Sequence, residues 1–127
     1  MPVPGQKPLN FVRSIPASGS TVSPSISVIT LLFDKNVVND SVWQNNRKQI
    51  RMFRGDTQVA IRVTRIPDTV DFSQRRKIFV RPVNRLRSGS TYTIVIGPGV
   101  TSKAGERLGK TVRVVLRTRA GAPVPEE

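Results

Sequence analysis

The sequence predicts an all-β fold, namely a sandwich of two antiparallel sheets with about seven strands. Its β-branched and apolar residues come in short runs that are typical of strands. Clusters of Gly, Pro, Asn, Asp and Ser separate these runs at intervals of about 8 to 12 residues, as in two-sheet sandwiches. No helix of useful length is predicted. The segment Val37–Arg47 is expected to hold at most one turn, which Asn39 or Asp40 can cap.

Each predicted strand is supported by the alternation of its side chains. Successive side chains of a strand point to opposite faces, so apolar residues at every second position mark the buried face. The run Ser25–Phe33 is apolar at more positions than that, which is expected of a central strand. In the later strands the apolar residues alternate with Arg or Thr, which therefore face outward. The predicted strands are Phe11–Ile15, Ser25–Phe33, Gln49–Phe53, Val59–Ile66, Lys77–Pro82, Thr91–Gly97 and Thr111–Thr118.

The composition limits the kinds of function that the chain can have. Its 127 residues are enough for one domain, and its termini and interior contain no apolar run that resembles a signal peptide or a membrane span. Cys and His are both absent, which excludes disulfides, thiol nucleophiles, His-containing triads and most zinc sites. We therefore expect no catalytic residues, no metal and no cofactor.

The charge is the most unusual property of the chain. Lys and Arg number 21 against 8 Asp and Glu, giving a net charge of +13, and most of the basic residues are arginine. A chain of this charge attracts polyanions such as nucleic acid, anionic cell-wall polymer, acidic polysaccharide or an anionic lipid surface. Charge alone does not distinguish among these partners.

Both ends of the chain are rich in proline. Residues 1–9 and 120–127 are predicted to be extended linkers, and residues 10–119 to be the folded domain. The linkers are consistent either with frayed termini or with a module that is joined to neighbouring domains in a longer chain.

The segment LRSGSTY, from Leu86 to Tyr92, has the pattern of a tyrosine corner. In such a corner the ring packs in the core, and its hydroxyl bonds to the backbone a few residues upstream. Tyr92 is the only tyrosine in the chain. We interpret it as a structural residue.

Several spaced segments together resemble bacterial immunoglobulin-like domains of the surface-layer-protein type. The resemblance extends from about Val12 to Thr118 and implies an immunoglobulin-like, Greek-key sandwich used as a structural or adhesive module in exported proteins. It implies no catalytic residues. The matching segments are Pro16–Val22, Leu32–Val37, Pro82 with Leu86–Tyr92, and Gly99–Leu108 ahead of the final strand.

Three positions depart from the pattern of this family. Ser102 stands where the family usually has Asp, Glu106 where it has Asn, and Leu116 where it has Phe. The change at Leu116 exchanges one core residue for another. The other two lie in one loop, where they make a family-like loop contact or ion site doubtful.

The arginines provide the only candidate site. In an immunoglobulin-like sandwich the third, sixth and seventh predicted strands share a sheet, so Arg51, Arg113 and Arg117 are expected on one outer face, with Arg47 and Arg119 nearby. Arginine is suited to binding phosphate and carboxylate groups. The alternative is a diffuse charge without a defined site, because Arg62 and Arg81 are expected to face outward on the other sheet.

These observations lead to one preferred function and one alternative. The preferred function is a non-catalytic structural or adhesive module of an exported bacterial cell-envelope protein, located extracellularly or in the envelope and monomeric as an isolated domain. Its expected partners are neighbouring domains and anionic cell-wall polymer or polysaccharide. The alternative is a free-standing basic protein that binds nucleic acid without sequence preference through its arginine face. An enzyme is the least favoured interpretation because the necessary residues are missing.

Overall fold

The computed structural model describes residues 8–120, which form nine strands, one α-helix and one short 3₁₀ helix. The predicted linkers lie almost wholly outside this range. Leu9, which falls within the first predicted linker, is fully buried. The strands are β1 (Phe11–Ile15), β2 (Thr21–Val22), β3 (Ile29–Phe33), β4 (Ile50–Arg54), β5 (Thr57–Val59), β6 (Ile61–Thr64), β7 (Lys77–Pro82), β8 (Thr91–Ile96) and β9 (Val112–Thr118), and the helices are α1 (Asp40–Lys48) and the 3₁₀ helix Phe72–Gln74.

The strands form two sheets, as the sequence predicts. The four-stranded sheet has the order β1-β3-β7-β6 and the five-stranded sheet the order β2-β9-β8-β4-β5. All strand pairs are antiparallel except β2 with β9, which is parallel. Backbone hydrogen bonds extend this parallel contact to the residues just before β2. The N–H of Gly19 donates to Val115 O at 2.6 Å, and that of Arg117 donates to Ser20 O at 3.0 Å.

Two predicted strands differ from the structure. The run Ser25–Phe33 becomes regular only at Ile29, because a turn in which Ile26 N donates to Ser23 O interrupts it. The run Val59–Ile66 is divided at Ala60, where the chain leaves the five-stranded sheet and joins the four-stranded one. The inward alternation continues across this change, since each half places its apolar side chains toward the shared core.

The prediction of a single helical turn was too short, because α1 has nine residues. Asn39 caps its N-terminus by accepting a hydrogen bond from Ser41 N at 3.0 Å, and Asp40 lies in the first turn, where a negative charge complements the helix dipole. Arg47 and Lys48 occupy the last turn, where positive charge is favourable. Only Trp43 and Asn46 of this helix are buried.

The core lies between the inner faces of the two sheets. It is made mainly of aliphatic side chains from β3, β4, β7, β8 and β9, together with Phe33, Trp43 and Tyr92. Leu116 is buried in it, so the departure from the family pattern at this position is accommodated. Burial of large aliphatic side chains at about 1.5–3 kcal/mol each is the main stabilising contribution.

The sandwich has two distinct ends. We call the end where β1 begins the proximal end; it carries α1 and the connections formed by residues 34–39, 65–76 and 97–111. We call the end where β9 stops the distal end; it carries residues 23–28, the β4–β5 hairpin and residues 83–90. The registers place Phe11 beside Phe33 at the proximal end and Thr21 beside Arg117 at the distal end. The chain therefore enters and leaves the domain at opposite ends.

Candidate polyanion-binding surface

A row of side chains crosses the outer face of the five-stranded sheet. Arg51 on β4 is paired with Val95 on β8, which is paired in turn with Arg113 on β9. Because neighbouring strands lie about 4.8 Å apart, the Cα atoms of the two arginines are separated by about 10 Å. Both arginines are exposed and Val95 is half-buried between them. This row can hold two anionic groups of one flat or extended polymer.

Arg117 and Arg119 extend the same face toward the distal end. Arg117 lies on β9 between Thr21 and Thr91, and both Arg117 and Arg119 are exposed. The backbone N–H of Arg119 donates to Val22 O at 3.0 Å, which keeps this residue in the sheet beyond the end of β9. The structure thus places Arg51, Arg113, Arg117 and Arg119 on one face.

No acidic side chain occupies an outward position of this sheet within residues 8–120. Ion pairs seen in the same part of the chain join Lys35 to Glu106 and Arg65 to Asp40, both at the proximal end. The face arginines are thus available to external anions. A guanidinium can form two parallel hydrogen bonds with a phosphate or carboxylate.

Arg47 lies elsewhere. It is on the last turn of α1 and lines a groove of about 730 Å³ at the side of the sandwich, together with Lys48 and Arg62. Its lining also includes Gln58 and the aliphatic residues Ile50, Val59 and Ile61. Arg47 does not share a face with Arg51, because it belongs to a helix and not to the strand that follows.

The outer face of the four-stranded sheet is also basic. Arg62 on β6 lies directly opposite Arg81 on β7, an arrangement of like charges that costs stability. Arg81 is partly compensated, because its Nε donates to Thr64 Oγ1 at 3.3 Å and its guanidinium lies 5.9 Å from the ring of Phe79. Positive charge therefore covers both faces, as the alternative of a diffuse charge requires.

The acidic side chains are concentrated at the proximal end. Among residues 8–120 only Asp56 lies at the distal end, in the β4–β5 turn. This distribution leaves the distal end and both outer faces strongly positive. The acidic residues of the proximal end are Asp34, Asp40, Asp68, Asp71 and Glu106.

Hydrogen bonds hold two of these carboxylates in their ionised form. The pKa of Asp68 is lowered from its ordinary value of 3.8 because the side-chain amides of Asn39 and Asn36 donate to it, at 2.9 and 3.0 Å. Burial raises the pKa of Asp34, but hydrogen bonds from the backbone and side chain of Asn10 outweigh that effect and lower it. These two carboxylates therefore stabilise the connections in which they lie. Residues 8–120 contain no cluster of three or more acidic side chains that could hold a metal ion.

The loop before β9 is closed by the two residues that depart from the family pattern. Ser102 is buried, and its hydroxyl donates to Glu106 Oε1 at 3.1 Å and accepts from Glu106 N at 3.1 Å. Glu106 also forms the ion pair with Lys35, two residues after the end of β3. Ser102 and Glu106 therefore make the contact that closes this loop. Its carboxylate stands at position 106 in this chain, whereas the family usually has one at position 102.

Tyr92 is buried, and its hydroxyl accepts a hydrogen bond from the backbone N–H of Arg87 at 2.8 Å. This is the geometry of a tyrosine corner. Thr118, at the end of β9, is also buried and bonds to both Arg87 O and Ser90. Together they fix residues 83–90 against β9. Arg85 and Arg87 consequently join Arg117 and Arg119 at the distal end, a grouping that no periodicity in the sequence indicates.

A two-sheet sandwich with a tyrosine corner and a parallel contact between β2 and the last strand is an immunoglobulin-like domain. The family model described as bacterial Ig-like domain matches residues 5–118, and the chain belongs to this family. Domains of this family are generally non-catalytic.

Solved structures with the same fold include both single-domain and multidomain proteins. CopC from Methylosinus trichosporium OB3b is similar with a TM-score of 0.66 at 13% identity, covering 92% of this chain and 99% of that one. The N-terminal part of the bacterial S-layer protein SbsC is similar with a TM-score of 0.61 at 16% identity, covering 93% of this chain but 25% of that one. A longer SbsC structure, residues 31–844, gives a TM-score of 0.57 at 14% identity, covering 93% of this chain and 14% of that one.

No curated protein matches the chain. The part of the chain that the structure describes holds no helix both long and apolar enough to cross a membrane. The family match and the solved structures agree on the fold, a bacterial immunoglobulin-like domain.

Proposed function

We propose that the chain is a non-catalytic module of an exported bacterial cell-envelope protein, which transmits tension along its length and contacts anionic wall polymer through the outer face of its five-stranded sheet. The observation that carries the proposal is the course of the chain, which enters at the proximal end and leaves at the distal end. A module of this kind can be placed in series with neighbouring domains. The S-layer neighbours, in which an equivalent domain is a small part of a longer chain, support the same arrangement.

The parallel pair of β2 with β9 is suited to bearing load. Tension applied to the two termini pulls these strands in opposite directions along their axes, so their hydrogen bonds are loaded together and not one after another. The bonds include Gly19 N to Val115 O, Arg117 N to Ser20 O and Arg119 N to Val22 O, at 2.6 to 3.0 Å. Ser18 adds a side-chain bond, since its hydroxyl accepts from Val115 N at 3.0 Å.

Single-molecule pulling tests the mechanical part of this proposal. The chain has no cysteine, so introduced cysteines are unique attachment points. We expect unfolding from terminal handles to need roughly twofold or more force than unfolding from Ser88→Cys and the C-terminal handle, since forced unfolding follows the barrier that the pulling direction loads. In the second geometry β9 is peeled from one end. Equal forces in the two geometries would contradict a load-bearing role.

The polymer-binding part rests on Arg51, Arg113 and Arg117, which lie on a face without acidic residues. An amide-shift NMR titration with wall-type polyanion at about physiological salt is expected to give saturable shifts on β4, β8 and β9. The Arg51→Gln/Arg113→Gln variant should weaken binding, whereas Arg62→Gln/Arg81→Gln removes the same charge from the other sheet and should weaken it less. Equal losses in the two variants would show that only net charge matters.

Nucleic acid is the rival partner, and duplex DNA is the second titrant in the same experiment. The outer face that carries the arginines presents only Phe53 as an aromatic side chain, and this residue is half-buried. Base stacking, on which single-strand binding relies, therefore has little support. Tighter, saturable binding of DNA than of wall polymer would replace the polymer with nucleic acid as the partner.

A further inference from the structure

Four arginines converge at the distal end of the sandwich. Arg85 and Arg87 come from the connection between β7 and β8, and Arg117 and Arg119 come from the end of β9. All four are exposed, and the acidic residue described at this end, Asp56, lies two strands away from β9. The sheet face proposed above accounts for Arg117 and Arg119 but gives no role to Arg85 and Arg87.

The two segments that carry these arginines are fixed to each other by hydrogen bonds. Gly89 N donates to Arg119 O at 2.9 Å, and the Thr118 hydroxyl donates to Arg87 O while it accepts from Ser90 N at 2.9 Å. The hydroxyl of Tyr92 holds the N–H of Arg87 from the core side. The backbone positions that carry the four arginines are consequently fixed before any ligand arrives, which lowers the entropic cost of binding.

A groove lined with hydroxyl groups adjoins this cluster. It has a volume of about 540 Å³, and Arg119 forms part of its wall. None of its lining residues is acidic or aromatic. Leu86 N donates to Pro24 O at 2.9 Å, which joins the groove to the connection that carries Arg85 and Arg87. The side-chain hydroxyls of the groove come from Ser20, Thr21, Ser23, Ser25 and Ser27.

These hydroxyls retain hydrogen-bonding capacity. Ser23 and Ser25 bond to each other at 2.8 Å, but each hydroxyl can donate once and accept twice. Ser25 and Ser27 are exposed and form no bond that would prevent contact with a ligand. The groove is thus suited to a ligand rich in hydroxyl groups, and the cluster beside it is suited to regularly spaced anions.

We propose that the distal end is a binding site for a chain of phosphodiester-linked polyol units, with phosphates held by the arginine cluster and polyol hydroxyls placed in the groove. This inference rests on the proposed function, since it names the ligand class and moves the centre of binding from the middle of the sheet face to the distal end. Arginine forks match phosphate geometry, and Ser and Thr hydroxyls match polyols. Duplex DNA offers neither free hydroxyls nor unstacked bases to this groove.

Calorimetric titration of the whole chain with poly(glycerol phosphate), at about physiological salt, tests the inference. The Arg85→Gln/Arg87→Gln variant should weaken binding roughly tenfold, because each lost phosphate contact also forfeits the release of counterions. The matched controls are Arg62→Gln/Arg81→Gln on the other sheet and Arg51→Gln/Arg113→Gln on the proposed face. All these side chains are exposed, and an unchanged amide spectrum verifies folding.

The outcomes separate the two proposals. A larger loss in Arg85→Gln/Arg87→Gln than in either control supports the distal site. A loss confined to Arg51→Gln/Arg113→Gln overturns the distal site and leaves the proposed function intact. Equal losses in all three variants overturn the distal site in favour of diffuse charge, and no binding of the wild type overturns polymer contact altogether.

A second comparison tests the groove. Ser25→Ala/Ser27→Ala should weaken binding of poly(glycerol phosphate) severalfold and leave binding of inorganic polyphosphate, which has no hydroxyl-bearing units, unchanged. If poly(glycerol phosphate) binds this variant as well as the wild type, the groove has no part in recognition and the polyol assignment is overturned.

Discussion

The replacement Asn46→Ala is predicted to be the most destabilising single amide deletion in α1. Asn46 is fully buried, and its side chain connects the helix to two separate connections at the proximal end. Its Nδ2 donates to Val37 O and to Thr101 O, each at 2.8 Å, and its Oδ1 accepts from Thr101 N at 2.8 Å. Alanine removes these three bonds, together with a longer one that Asn46 Oδ1 accepts from Asn45 Nδ2 at 3.2 Å, and leaves buried backbone groups without partners.

The magnitude follows from these contacts. A typical internal hydrogen bond contributes about 1 kcal/mol net, and stranding a buried partner costs roughly 1–3 kcal/mol. Three bonds therefore give an expected loss of about 3–4 kcal/mol, from which the higher helix propensity of alanine recovers about 0.6 kcal/mol. The net loss, about 3 kcal/mol, is a large part of the roughly 5–15 kcal/mol that stabilises an ordinary domain.

Asn45→Ala provides the matched control. Asn45 is the adjacent residue on the same helix, but it is exposed, and its Nδ2 donates to Gly99 O at 2.8 Å and to Asn46 Oδ1 at 3.2 Å. The gain in helix propensity offsets most of the loss of these two bonds of an exposed side chain, so the expected change is within about 1 kcal/mol of zero.

Urea unfolding measures both variants. Trp43 is the only tryptophan and is buried, so its fluorescence reports unfolding, and far-UV circular dichroism checks that the sheets unfold in the same transition. If the slope of the unfolding free energy against urea concentration is the same in the variants and the wild type, their unfolded states are comparable. If Asn46→Ala loses no more than about 1 kcal/mol relative to Asn45→Ala, the hydrogen bonds of Asn46 do not stabilise the proximal end as argued.

Three further predictions concern the corner, a glycine and the acidic end. Tyr92→Phe leaves the N–H of Arg87 without its partner and should lower the free energy of unfolding by about 1–3 kcal/mol in urea titrations, with the ring still packed; an unchanged midpoint would contradict the tyrosine corner. Gly97→Ala places a Cβ 2.5 Å from Oε1 of Gln49, at the end of a flexible side chain that can turn away, and 3.2 Å from Gln49 O, so it should cost about 1 kcal/mol; a loss above about 3 kcal/mol would show that the Gln49 side chain cannot move aside. Because the folded pKa of Asp68 is lowered, its stabilisation is present above about pH 4 and lost as the pH falls through the folded pKa, and carboxyl NMR should give a midpoint below 3.8.

The sandwich and most of its strands could be predicted because a strand buried on one face has a local period of two. The missing features depend on distant parts of the chain. The strand β2 has two residues, too few for a period, and exists because β9 lies beside it. The change of sheet at Ala60 is likewise invisible locally, since both halves of the run alternate in the same way.

The full length of α1 could not be predicted from the sequence, because its buried face is small and partly polar. Only Trp43 and Asn46 point inward, so no apolar stripe marks it, and Asn46 is buried only because Val37 and Thr101 satisfy its amide. The candidate site also has one part that the sequence predicts and one part that it does not. The shared face of Arg51 and Arg113 follows from strand alternation, whereas Arg85 and Arg87 lie in an irregular connection whose position the core residues Tyr92 and Thr118 determine.

The two ends of the module carry charge of the same sign. In the described part of the chain, nine basic residues accompany the five carboxylates of the proximal end, and five arginines accompany Asp56 at the distal end. Both ends are therefore net positive, and successive modules in a series repel each other where the distal end of one meets the proximal end of the next. Because salt screens charges over about 8 Å at physiological ionic strength, this repulsion acts only at close approach. It keeps neighbouring modules apart and favours an extended string.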